Sequence, residues 1–333
     1  MMRFRTPGGI GSSAAASMLR RALGVLWLAD ALVKLSLPFG DRPGDQWYEQ
    51  IMTAEGGPPG FHRILAWETQ AFADHPLLWW LPAAVELGIG GWLAIRPNSR
   101  RALAVSAGWA VVVWLAGEGM GGLLTGESSI LGDFPGAALL YAVAALILFP
   151  RRVPRPEAAV AAEAGIMGQW SRMVWLALWI CAAFFTAMPQ LTMNGLDSML
   201  TVTYIEAAGP LRSMDAAVSS WLTVAHTSLL GFAAAAAVCL AAGFGVFLGA
   251  WPRVFLALAM LTVLAGWVVF QNFAGIYTGA ATDMGTGPVL ILLACAFWPA
   301  GRARRRDETD AEAAATAQAA PADPDGARDP AGR

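Results

Sequence analysis

Long apolar stretches alternate with short polar ones along most of the chain. Ala102–Gly117 carries no charged residue, and neither does Trp221–Trp251. Uncharged runs of this length read as membrane helices rather than core strands. The pattern predicts eight spans, at residues 18–37, 76–95, 102–118, 136–150, 171–189, 220–249, 252–273 and 287–300. Several are shorter than the roughly twenty residues of a perpendicular crossing. The fourth and eighth are therefore expected to extend into their flanking loops. Asp30 and Lys34 interrupt the first apolar stretch, which suits a retained helix better than a cleaved signal segment.

Composition agrees with the pattern. The chain is 56% hydrophobic and only 14% charged, against about a quarter charged in soluble domains. Lys34 is the single lysine among 22 basic residues, and with the abundant Ala and Gly this points to a GC-rich, bacterial source. The arginines test the topology. With the N-terminus placed in the cytoplasm, eighteen arginines fall on the inner side and three, Arg42, Arg63 and Arg212, on the outer side. This bias predicts a bacterial inner-membrane protein with both termini cytoplasmic. The lipid bilayer is then its first partner. The residues after Arg306 are rich in Ala, Asp, Glu and Pro without hydrophobic period, and are expected to be a disordered tail.

The chain also repeats itself. An offset of 151 maps Arg21 to Arg172, Pro38 to Pro189, Glu55 to Glu206, Pro59 to Pro210 and His75 to His226. At an offset of 155, Pro97 maps to Pro252. At 153, Trp114 maps to Trp267, Glu118 to Gln271, Gly122 to Gly275, Thr125 to Thr278 and Gly126 to Gly279. The predicted fold class is thus all-α: a polytopic membrane protein of two pseudo-symmetric four-helix bundles. An even span count per unit makes the repeats parallel. The organisation reads as 1–17 cytoplasmic segment, 18–150 first unit, 151–170 cytoplasmic linker, 171–301 second unit and 302–333 tail.

The first helix reads RRALGVLWLADALVKL, Arg20–Leu35, and the second contains AAVELGIGGWLA, Ala83–Ala94. An Arg–x3–Gly–x2–aromatic–Leu helix ending in Lys, then a helix with an intramembrane Glu and trailing glycines, resembles the DoxX-like membrane family. The resemblance covers the first 150 residues or so. It implies a four-helix unit, and a link to quinone-dependent oxidoreductases, to thiol or oxidative-stress systems, or to assembly and cargo roles. A quinone is the small ligand it implies, and a separate soluble redox enzyme the partner. The second half departs from the pattern: Cys181 stands at the counterpart of Asp30, Phe185 at that of Lys34 and Ala241 at that of Glu86.

Charges inside a bilayer are costly and point to function by default. Asp30 and Lys34 share a helix face at i, i+4 spacing. They read either as a structural ion pair, with Lys34 reaching outward, or as ligand groups. Glu86, mid-helix, must be neutral or paired. It reads either as half of a buried pair or as a proton-carrying or quinone-contacting acid. Glu118 ends the third helix, where the helix dipole disfavours a carboxylate, so Lys34 is expected to compensate it. Asp30, Lys34, Glu86 and Glu118 would then form one polar cluster in the outer half of the first unit. The candidate polar residues of the second half are His226, Gln271, which stands at the counterpart of Glu118, and Asn272.

The shared spacing of Gly121, Gly122, Thr125 and Gly126 with Gly275, Thr278 and Gly279 predicts a shaped re-entrant turn in both halves. His75 and His226 are weak metal candidates, since no HxxxH or CxxC spacing supports them. The segment Phe61–Phe72 is expected to lie on the membrane as a lid. Cys181, Cys239 and Cys295 lie singly in apolar runs and make no dithiol motif. The glycines lack a phosphate-binding context, topology accounts for the arginines without nucleic acid, and no nucleophile–histidine–acid set emerges. The expected function is an accessory or ligand-binding subunit of a redox system, rather than an enzyme in its own right. If an enzyme, it would be a membrane oxidoreductase subunit. Alternatives are a small-solute transporter or channel between the bundles, or a non-enzymatic assembly or cargo factor.

Overall fold

A computed structural model describes residues 9–36, 80–122, 134–152, 158–187, 210–222, 225–278 and 281–299, with isolated positions between 63 and 78. The described elements are helical, and an isolated bridge between Pro150 and Gly165 is the one β contact among them. Thr125, Gly126 and Gly279, and the tail after Arg306, lie outside the described residues.

The first half contains α1 (Gly9–Ser36), α2 (Trp80–Ile95), α3 (Arg100–Ala116) and α4 (Ala137–Ile147). The second contains α5 (Trp170–Ala187), α6 (Pro210–Leu222), α7 (Ala225–Leu248), α8 (Pro252–Ala265, continued by the wider turn Gly266–Phe270) and α9 (Thr286–Ala296). Two helices are long and apolar enough to cross a membrane, Trp170–Ala187 and Pro252–Phe270; Trp80–Ile95, Ala137–Ile147, Ala233–Leu248 and Thr286–Ala296 are apolar but shorter.

Three boundaries differ from expectation. α1 begins at Gly9, well before residue 18. The predicted sixth span opens instead on a separate amphipathic helix, α6, before α7 starts at Ala225. The fourth and eighth spans do not lengthen into their loops, because their ends are capped by other groups. At the start of α4 and α9 stand Gly136 (φ 94°) and Gly285 (φ 71°), in backbone conformations that L side chains rarely adopt. Past their ends, Arg100 donates to the carbonyl of Pro150 (2.9 Å) and Arg253 to that of Pro299 (3.4 Å).

α1 crosses α2 at close range. Gly24 and Gly90 meet there, and a Cβ on Gly90 would lie 2.7 Å from the Gly24 carbonyl oxygen. α5 packs on α7 as the corresponding pair. α9 lies against α1, α4 and α8, so the halves share one interior, and the described chain forms a single unit ending at Pro299. Leu23, Trp27, Leu93, Leu103, Leu140, Ile147, Trp175 and Leu256 fill that interior. Arg20 is buried beside it, donating to the Leu148 carbonyl (2.7 Å) and to Asn98 Oδ1 (2.6 Å).

Candidate functional site

The α1–α2 crossing brings the charged residues of both helices face to face. Lys34 Nζ lies 2.9 Å from Glu86 Oε2, with the two side chains 10% and 1% exposed. Lys34 therefore turns into the bundle, the direction that helical side chains favour when they point back toward their own N-terminus. It pairs with Glu86 rather than reaching outward. Two charges in an apolar interior are tolerable because each offsets the other's desolvation.

Asp30, one turn before Lys34 and equally buried, uses Oδ1 to accept the backbone N–H of Met284 at 2.9 Å. That donor belongs to the turn between α8 and α9, so the first-half cluster is completed by the second half. Asp283, next to it and half-buried, accepts the N–H of Gly285 at 2.6 Å. Its carboxylate is also within electrostatic reach of Asp30, Lys34 and Glu86.

Two more groups border the cluster. The Trp109 indole of α3 is a hydrogen-bonding neighbour of Glu86 and the Tyr141 hydroxyl of α4 one of Asp30, although neither contact has the geometry of a well-formed bond. Glu86 Oε1, the Trp109 N–H and the Tyr141 hydroxyl are buried without a hydrogen-bond partner. Native interiors rarely leave such atoms unmatched. Nearer the chain's Arg20 end, the Trp27 indole donates to Ser106 Oγ at 2.8 Å and its ring lies 4.2 Å from that of Tyr141.

Glu118 is not part of this cluster. The expectation that Lys34 compensates it is corrected: Lys34 is taken by Glu86, and Glu118 Oε1 accepts the N–H of Ala138 at 2.8 Å. The dipole that matters is that of the following helix. Glu118 lies near the positive start of α4, where a carboxylate is favourable. At the same place in the second half, Gln271 Nε2 donates to Thr286 Oγ1 at 2.8 Å, in the first turn of α9.

The two turns agree in further detail. Trp114 donates to the carbonyl of Pro135 (2.8 Å) and Trp267 to that of Met284 (2.9 Å). The N–H of Glu118 bonds to the Val113 carbonyl and that of Gln271 to the Gly266 carbonyl, each one residue wider than an α-helical bond. Gly119, Met120 and Gly121 then have left-handed φ of 53°, 63° and 62°, and Asn272, Phe273 and Ala274 have 45°, 56° and 58°. A Cβ on Gly121 would collide with the Pro135 carbonyl, which explains the glycine there. Gly122, Gly275 and Thr278 lie in the same short turns.

Asn272 is buried within its turn. His75 is exposed; His226 lies in α7, its side chain outside the described residues. Among the described residues no three His, Cys, Asp or Glu groups are placed to hold a metal ion. In the segment proposed as a lid, the described residues Arg63, Trp67, Gln70 and Ala71 are helical, and Trp67 is 72% exposed.

Sequence reasoning missed Trp109, Tyr141 and the Met284 N–H. The first two looked like ordinary aromatics of apolar helices. A backbone donor leaves no mark in side-chain chemistry. Searches of family models, curated proteins and solved structures find no match to this chain.

Proposed function

We propose that the chain is an eight-helix protein of the bacterial inner membrane, built from two four-helix halves of common origin, with both termini cytoplasmic. Its resemblance to DoxX-like proteins extends, on this reading, to a role beside a separate redox enzyme. The cluster around Glu86 receives the polar head of a small apolar ligand, and a quinone or quinol is the proposed occupant. The matching turns support common origin. The helices Ala137–Ile147 and Thr286–Ala296 have equal length and stand at a constant offset of 149, as do the carbonyls beside their ends that accept the Trp and Arg bonds, while the Trp and Arg donors stand at 153.

The observation that carries the ligand reading is the unmet hydrogen-bonding capacity around Glu86. One acceptor, Glu86 Oε1, lies in the same buried site as the Trp109 N–H and the Tyr141 hydroxyl. A quinol hydroxyl, which both donates and accepts, suits the whole mixture, and a quinone carbonyl takes the indole and phenol donors. Leu23, Leu93 and Leu103 are fully buried between this level and Arg20. That packing favours a closed pocket over a channel.

The test is native mass spectrometry of the purified protein, with extracted quinones quantified in wild type and Glu86→Gln. Wild type is expected to retain a stoichiometric quinone. The variant is expected to lose about tenfold in occupancy, the scale of one charged hydrogen bond. An unchanged quinone content would overturn the reading.

A further inference from the structure

The second half contributes to this site although its own corresponding pocket is apolar. At the counterparts of Asp30, Lys34, Glu86 and Tyr141 stand Cys181, Phe185, Ala241 and Leu290. The two halves also differ in what each turn presents to the other half. Phe134, before α4, stacks on Phe185 of α5 with ring centroids 5.0 Å apart. At the corresponding places, Asp283 stands near Lys34 of α1 and the Met284 N–H reaches Asp30. Pro135, the counterpart of Met284, has no N–H to offer, and the residue at Asp30's counterpart is Cys181, which carries no carboxylate. Donor and acceptor are present together in one half and absent together in the other.

The Met284 peptide is held on both sides. Its N–H binds Asp30 in the first half, and its carbonyl binds Trp267 in the second. Asp283 pins the same turn through Gly285. A carboxylate fixed by a buried backbone donor holds one orientation, and Asp30 lies one helical turn from the lysine that neutralises Glu86.

We propose that the α8–α9 turn is a positioning element of the Glu86 site. The Met284 N–H orients Asp30, and the charges of Asp30 and Asp283 together hold Lys34 on Glu86. None of the three groups touches the ligand. The proposal takes the Glu86 pocket as the ligand site, and its first test needs no ligand.

Thermal unfolding of purified protein is measured for Asp30→Ala, Met284→Pro and the double variant, with Cys181→Ala as the counterpart control. If the bond couples the halves, the double variant is no less stable than the worse single variant, and Cys181→Ala is unchanged. Additive losses would overturn the coupling. Should Met284→Pro fail to fold, Asp30→Asn, which keeps the acceptor, is compared with Asp30→Leu, which removes it. Equal losses from these two would overturn the proposal as well. A short-chain benzoquinone is then titrated into wild type, Asp30→Asn and Asp283→Asn. The expected result is a severalfold weaker affinity in both variants, with Asp283→Glu, which keeps the charge, nearer to wild type than Asp283→Asn. Wild-type affinity in both variants would overturn the positioning role. If wild type itself fails to bind, the quinone reading falls while the unfolding result still decides the coupling.

Discussion

The turn before α4 and the turn before α9 have the same backbone and opposite chemistry. Each begins with a wide helical bond, passes through a left-handed run (three residues in the first turn, four in the second) and closes on a positive-φ glycine whose preceding carbonyl is held by a tryptophan. One presents Phe134 and Pro135 to the other half, and the second presents Asp283 and the Met284 N–H. Hydrogen bonds internal to the turn maintain the shared shape. The side chains pointing outward differ, and only one of the two interfaces is polar. The difference teaches that scaffold and site are separable here: the scaffold occurs in both halves and the charges in one.

The sharpest way to break the comparison is to remove one member of the charged pair. Lys34→Met alone leaves the buried carboxylate of Glu86 without its cation, at an expected cost of about 3–5 kcal/mol, and Glu86→Leu, which leaves Lys34 beside Asp30 and Asp283, is expected to cost less. The double variant Lys34→Met with Glu86→Leu removes the ion pair from the first half and leaves Asp30 on the Met284 N–H. It is expected to recover most of that loss, since apolar replacement of a whole buried pair is often neutral. Denaturant unfolding in detergent checks both. A double variant as unstable as Lys34→Met would show that the first bundle cannot pack apolar side chains in place of the pair. Next in size are the glycines that close the turns. Gly136→Ala and Gly285→Ala each place a Cβ in a glycine-only conformation, at an expected cost of about 1–3 kcal/mol. Near-equal losses would support equivalent turns. A neutral Gly136→Ala would contradict the crowding of that position by Glu118 and Trp114.

Much of the helical order was legible from the apolar runs, because uncharged stretches near twenty residues leave few other folds. α6 was not, since Pro210–Leu222 mixes polar and apolar residues and carries no long apolar run. The register of the two turns was visible as Trp114 with Trp267 and Glu118 with Gln271. What those residues bind was not, because the partners are backbone groups: the Pro135 and Met284 carbonyls and the Ala138 N–H. Lys34 could be placed beside Asp30 or Glu86 from helix geometry. The choice of Glu86 depends on the depth at which α1 and α2 cross at Gly24 and Gly90, a tertiary fact. Glu118 was misread because its charge was weighed against the helix it ends rather than the helix it caps.

A smaller effect distinguishes a hydrogen bond made by a tryptophan from the packing of its ring. Trp114→Phe and Trp267→Phe each delete one N–H to a turn carbonyl, at an expected cost of about 1 kcal/mol. Chemical denaturation of the two variants checks whether the losses match, as equivalent turns require.

The smallest expected effect concerns Glu118, and it decides what that residue is for. Its carboxylate accepts the Ala138 N–H at the start of α4, and Gln271 occupies the same place uncharged. Glu118→Gln keeps an acceptor oxygen for the Ala138 N–H and loses the attraction between charge and helix dipole. That attraction is worth about 0.3–1 kcal/mol where partly exposed, up to roughly 2 where buried. The variant should therefore fold with a slightly lower unfolding midpoint and, if the proposed quinone site exists, hold quinone to the wild-type extent. Glu86→Gln should do the reverse, losing ligand far more than its stability change explains. If Glu118→Gln also emptied the pocket, the acid would belong to the site rather than to the scaffold. The division between a shared turn and a one-sided cluster would then fail at the residue where the two halves differ by a single atom.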